Sequence, residues 1–210
     1  YKWRYEDGQR YLDADGFPEI VLDERVKVGN AFPDFISSLG SNFKWKGIGF
    51  NFLLEYKEGG DLYDSGLRNS IRNGNPLSTL VRDEEVVLEG VMDNGSGGYT
   101  TNTTPALIDQ NYYRNSNVYN RAAEVLVQDA SWVKLRNVSL SYDMDNKFTR
   151  DLKMEKLSLS VSASNILVWT PFDGYDPEGN QYSAGSNVYG FTGLSVPLSQ
   201  SYSFGLNISF

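Results

Sequence analysis

The 210-residue chain carries no Cys and no His, a net charge of −8 and 14% aromatic residues, with 14 Tyr, 11 Phe and 4 Trp. The lack of Cys excludes disulfides, thiolate catalysis and cysteine metal sites, and the lack of His removes the commonest general base and metal ligand. With no basic cluster to neutralise phosphates a nucleic-acid role is not expected, and no apolar run approaches the roughly 20 residues of a membrane helix.

The mean hydropathy of −0.43 suits a water-soluble chain. It also suits a membrane barrel, whose strands give a far weaker hydropathy signal than membrane helices. The chain starts at Tyr1 with neither Met nor a signal peptide, so a fragment or cleaved product is expected.

Residues 1–32 are polar and turn-rich. Tyr11 to Leu22 reads as a small hairpin turning at Asp15-Gly16. Asp13, Asp15 and Gly16 echo a calcium loop but lack its ligand spacing and bidentate Glu, so a plain turn is expected. Residues 33–57 read as a long hairpin: Phe35, Leu39, Phe43 and Trp45 share one parity, Lys46-Gly47 is a tight turn, and Ile48, Phe50, Phe52, Leu54 and Tyr56 follow on one face. Residues 58–130 lack strand periodicity and read as a long loop, with short helices expected over 106–114 and 119–125.

Residues 131–169 hold two strands. Val138, Leu140 and Tyr142 oppose Ser139 and Ser141, whereas Val133 and Leu135 have the other parity, which places a bulge near Arg136-Asn137. After a polar connection over 143–155, Leu157, Leu159, Val161 and Ala163 alternate with serines. Residues 170–197 form a second long loop, and 198–210 the last strand. There Leu198, Tyr202, Phe204, Leu206, Ile208 and Phe210 oppose small polar residues and Gly205, with no charge on the polar face. A soluble sandwich usually carries charged groups there, whereas outer-membrane barrels place apolar side chains toward lipid and polar ones toward the lumen. The expected fold is therefore all-β: an antiparallel transmembrane β-barrel segment, about five C-terminal strands of a larger barrel, with long extracellular loops. If Phe210 lies at the periplasmic end, 58–130 and 170–197 fall outside the cell, and Lys46-Gly47 and 143–156 inside. Trp45 and Trp169 then sit where an aromatic girdle belongs.

Several stretches resemble one family in the right order. Val28-Gly-Asn-Ala-Phe-Pro-Asp34 is similar to its IGN-x-x-P entry into a strand, and Phe43-Lys-Trp-Lys-Gly47 to its F-x-Y-K-G turn. Asp129-Ala-Ser-Trp-Val-Lys-Leu-Arg-Asn-Val-Ser-Leu-Ser-Tyr142 is similar to D-A-S-F-x-K-L-R-N-x-x-L-x-Y. Ser164-Asn-Ile-Leu-Val-Trp-Thr170, Gly174-Tyr-Asp-Pro-Glu178 and Phe204-Gly-Leu-Asn-Ile-Ser-Phe210 complete the set. Together they resemble the C-terminal part of SusC/RagA-like TonB-dependent outer-membrane transporters. Asp143-Met-Asp-Asn-Lys147 stands where that family often has a Leu-Pro turn.

The resemblance implies uptake of oligosaccharides or peptides across a bacterial outer membrane. Its implied partners are a SusD-like lipoprotein lid, TonB acting through an N-terminal part not in this sequence, and the rest of the barrel and plug. Five strands leave two unpaired edges, which lipid does not tolerate, so the remainder of about 22 strands must come from elsewhere. No nucleophile, phosphate or dinucleotide motif is present, and neither catalysis nor a cofactor is expected. The alternatives are a soluble or surface glycan-binding β-sandwich and a passive porin or adhesin barrel.

Aromatic faces flanked by carboxylates suit sugar stacking and hydroxyl recognition. Tyr112, Tyr113, Tyr175, Asp176, Tyr182 and Tyr189 are the candidate ligand-binding residues; loop packing or lid contact is the competing role. A cation site at Asp173, Asp176 and Glu178 competes with a turn built on Asp-Pro.

Overall fold

The computed structural model describes residues 1–23, 25–114, 122–144, 147–151, 153–182, 186–193 and 195–210. It divides into two compact units. The first comprises Tyr1–Ala31, Asp61–Asp129 and Glu178–Ser195, and the second Phe32–Gly60, Ala130–Pro177 and Val196–Phe210.

The second unit is a five-stranded antiparallel sheet: β1 (Pro33–Trp45), β2 (Ile48–Gly59), β3 (Trp132–Met144), β4 (Lys156–Trp169) and β5 (Ser201–Ser209). Spatial order follows chain order, so β1 and β5 are its edges. The β1–β2 connection is the expected two-residue turn. Lys46 and Gly47 have φ of 46° and 85°, the doubly positive pattern that matches strand twist in a tight hairpin. A Cβ at Gly47 would stand 2.6 Å from the carbonyl oxygen of Asp143, so backbone freedom and space both call for glycine there.

Register carries the sequence alternation across every strand. One rung runs Phe43, Phe50, Leu140, Val161, Phe204, and the next Trp45, Ile48, Tyr142, Leu159, Leu206. The opposite face has the rungs Asn42, Asn51, Ser139, Ser162, Ser203 and Lys44, Gly49, Ser141, Ser160, Gly205. Directly paired residues share a face, so one side of the sheet is apolar and aromatic, the other small and polar. Every side chain in the two apolar rungs is exposed, up to 81% at Phe204. The register shifts between Leu135 and Asn137 against both neighbouring strands, placing the expected bulge at Arg136. That extra residue explains why Val133 and Leu135 change parity yet stay on the apolar side.

The first unit departs from the expectation of an aperiodic loop. Asp61–Asp64 lies between Val127–Asp129, antiparallel, and Phe191–Thr192, parallel. Glu84–Val87 pairs with Pro105–Ile108, and Val91–Asp93 with Tyr99–Thr101. Helix α1 (Ser65–Asn73) starts at Asp64, whose side chain accepts from the Leu67 N–H at 2.8 Å, and ends at Gly74 with φ 73°. Helix α2 (Gln110–Arg114) starts at Asp109, which accepts from the N–H groups of Asn111 and Tyr112. The helix expected over 106–114 is thus confined to 110–114. Pro105-Ala-Leu-Ile alternates exposed and buried side chains and pairs as a strand. Of the helix expected over 119–125, residues 119–121 lie outside the described residues, and Ala123–Val125 forms one 3₁₀ turn. The core holds Ile71, Ile108, Tyr112, Tyr113 and Leu126. Asp13 accepts from the N–H groups of Asp15 and Phe17 at 3.0 and 2.9 Å, so its carboxylate builds a turn.

Candidate functional site

The polar face of the second unit carries charge at both ends of the sheet: Lys44 pairs with Asp143 at 2.9 Å near the Lys46-Gly47 turn, and a second cluster lies at the other end. Glu55 on β2 accepts from Arg136 Nε at 2.6 Å. The Arg136 guanidinium and the Lys134 ammonium both lie over the Trp132 ring, 4.8 and 5.3 Å from its centroid. The bulge brings Arg136 to Glu55, and strand alternation places Trp132 and Lys134 on the same face.

Lys134 also pairs with Asp176 at 2.9 Å, and both are buried, 7% and 9% exposed. The second oxygen of Asp176 accepts from the Leu198 N–H at 3.3 Å. The Gly174-Tyr-Asp-Pro177 stretch and the approach to β5 are therefore pinned by one carboxylate. Thr170 Oγ1 donates to the Ser131 carbonyl at 2.7 Å and accepts from the Phe172 N–H at 3.1 Å, tying down the start of the same segment. Between these ties Tyr175 is 75% exposed.

In the first unit, Tyr182 and Tyr189 are exposed. Tyr182 meets Phe191 edge-on at 6.0 Å, and Phe191 meets Tyr63 at 5.6 Å. Burial pushes the Tyr63 phenol up, opposed by Arg68. Beside them Ser65 Oγ lies 2.7 Å from Gln181 Oε1 and 2.6 Å from the Thr192 carbonyl oxygen. Tyr182, Phe191 and Tyr63 make a partly open aromatic surface, flanked by amide and hydroxyl groups, of the kind that stacks on a sugar or a peptide side chain.

The six candidate residues therefore separate. Tyr112 and Tyr113 pack edge-on at 5.1 Å in the core, and the Tyr113 hydroxyl donates to the Val81 carbonyl at 3.1 Å. Burial pushes the Tyr113 phenol up, opposed by Arg82. These two tyrosines pack in the core of the unit. Asp176 is engaged with Lys134 and Leu198. Tyr175, Tyr182 and Tyr189 keep faces open to solvent. The sequence reading missed Lys134, Arg136 and Glu55; the change of parity around Arg136 was the signal for them, since a bulge re-aims side chains.

No family model matches the chain. Over 208 residues, 97% of its length, it is 26% identical to TonB-dependent receptor P3 of Formosa agariphila, and over 213 residues 25% identical to TonB-dependent receptor P26 of the same organism. It spans about a fifth of those relatives, 19% and 20% respectively. Among solved structures, the whole chain superposes on 22% of a chain of the RagAB peptide importer, with a TM-score of 0.61 and 19% identity in the closed-closed state and 0.59 and 18% in the open-open state. At this identity the structural likeness is one of fold. The chain thus resembles TonB-dependent receptors in sequence and the RagAB importer in fold, as its ordered motifs indicated.

Proposed function

We infer that this chain is a wall segment of an outer-membrane TonB-dependent transporter of the SusC/RagA kind, with its Phe- and Leu-rich face toward lipid and its Ser- and Asn-rich face toward the lumen. The observation that carries the reading is the exposed apolar face continuous across all five strands. Water-soluble monomers rarely expose contiguous apolar patches beyond a few hundred Å², whereas a barrel wall requires one. The open edges of β1 and β5 pair with further strands of a longer protein, because unpaired backbone groups in lipid cost several kcal/mol each.

The strand ends leading to 61–129 and 178–195 lie at one end of the sheet, and the Lys46-Gly47 turn and the strand ends Met144 and Lys156 at the other. On this reading the longer excursions face outside the cell and the shorter ones the periplasm, with Trp45 and Trp169 in the two aromatic girdles. Tyr175, Tyr182 and Tyr189 contact an oligosaccharide or peptide, or a SusD-like lipoprotein lid. TonB acts through other parts of the protein, and this chain adds no catalysis.

The test is uptake of labelled oligosaccharides and peptides by cells expressing the full-length protein, with and without TonB. The reading requires uptake that stops without TonB. Uptake that persists identifies a passive pore, and a protein recovered without detergent identifies a soluble sandwich.

A further inference from the structure

A cleft of about 290 Å³ opens in the first unit beside the ends of α1 and α2. Arg72 occupies the last turn of α1, Arg114 the last turn of α2, and Arg82 joins them from the segment between. A chain of net charge −8 here gathers three guanidinium groups against one lining carboxylate, Asp83.

An arginine at a helix end ordinarily serves the last carbonyl groups. At α1 the backbone already does so: the Gly74 N–H donates to Ile71 and the Asn75 N–H to Ser70, both at 3.0 Å. Arg82 is fixed by its own turn. Its Nε donates to the Thr79 carbonyl at 2.7 Å and a terminal nitrogen to Thr79 Oγ1 at 2.9 Å. That holds the guanidinium where a Cβ on residue 74 would stand, so the positive φ and the space both require Gly74. Two of the five guanidinium N–H donors are thereby used. The side chains of Arg72 and Arg114 make no ion pair or hydrogen bond among the described residues. Tyr113 lines the cleft with its hydroxyl bonded to Val81, and Gln110 adds an amide.

We infer that this cleft binds the carboxylate of the transported ligand, carried by a uronic-acid unit or by an acidic peptide residue. The inference deepens the transport reading and rests on it for the ligand's fate, though not for its binding. A pre-fixed planar guanidinium suits bidentate carboxylate recognition, and the other two arginines add positive charge beside it.

Calorimetry on the full-length protein tests this with two matched pairs of probes. The first pair is a trigalacturonate and the neutral galactose trisaccharide; the second is end-blocked Ala-Glu-Ala and Ala-Gln-Ala. The expected result at low salt is a charged probe binding about tenfold more tightly than its neutral partner. The preference fades as salt rises, and Arg72→Gln/Arg114→Gln reduces it while leaving neutral binding unchanged. The pair that shows the preference identifies the source of the carboxylate. Equal affinity within both pairs overturns the inference, as does a double variant that keeps the full preference. A protein that purifies without detergent yet prefers the charged probe ends the transport reading and leaves the cleft standing. TonB-dependent uptake with no charge preference does the reverse.

Discussion

Leu140→Arg tests the assignment of faces against Ser139→Arg, one residue away. Leu140 is 54% exposed and lies in the middle of a rung between Phe50 and Val161, with Phe43 and Phe204 beyond. Ser139 lies between Asn51 and Ser162 on the other face. In a bilayer, an arginine at mid-depth on the lipid side of a barrel costs about 2–4 kcal/mol, whereas lumen substitutions bear mainly on selectivity. That cost is ~30- to 700-fold in the folding equilibrium, at tenfold per 1.4 kcal/mol. A surface substitution outside special features stays within about 0.5 kcal/mol, which is the range expected for Ser139→Arg. The assay is reversible denaturant unfolding of the full-length protein in lipid vesicles, comparing midpoints at constant slope. Equal costs for the two variants, or a larger one at Ser139, would refute the reasoning. A water-exposed sheet would leave Leu140→Arg close to neutral.

The remaining predictions concern single contacts. Lys134→Met leaves Asp176 buried without its cation, a change that costs about 3–5 kcal/mol where burial is complete; amide exchange should show 171–177 and Leu198 losing protection, and Lys134→Met/Asp176→Leu should restore part of it. Asp64→Ala removes the side-chain bond to the Leu67 N–H and should destabilise the first unit by about 1 kcal/mol, read as lost protection over α1. The backbone N–H of Tyr112, with help from Asn111, holds the Asp109 carboxyl below its ordinary range. Its contribution is therefore fully present above the unfolded-state value of about 3.9 and lost as pH falls through the lower folded value. Protection of the Tyr112 amide should fall on acidification, and Asp109→Asn should flatten that dependence.

What the sequence disclosed follows from how local each determinant is. The five strands were legible because a two-residue period repeats over many positions, as in Leu157 to Ser164. The turn at Lys46-Gly47 and the bulge at Arg136 were legible as a left-handed dipeptide and a switch of parity. The first unit was not. Its strands span two to four residues, too short for a period, and their register depends on distant partners, such as Asp61–Asp64 with Phe191–Thr192. Helix α1 did leave a signal, with Asp64 as its cap and Gly74 at its end. Of the candidate residues, Tyr112 and Tyr113 looked like ligand aromatics because they stand in a polar stretch. The cap at Asp109 and the core of the unit turn them inward, which no local pattern records. Lys134 and Asp176 stand 42 positions apart, and Arg72, Arg82 and Arg114 meet only through tertiary packing.

The most direct test of the central claim is a cysteine scan of residues 137–143 in the full-length protein, favoured by the absence of native cysteine in this chain. Each site carries a fluorescent label, in bilayers containing brominated lipid. The account predicts quenching by lipid at 138, 140 and 142 and by an aqueous quencher at 139, 141 and 143. A flat profile, or aqueous quenching at 138, 140 and 142, would contradict it.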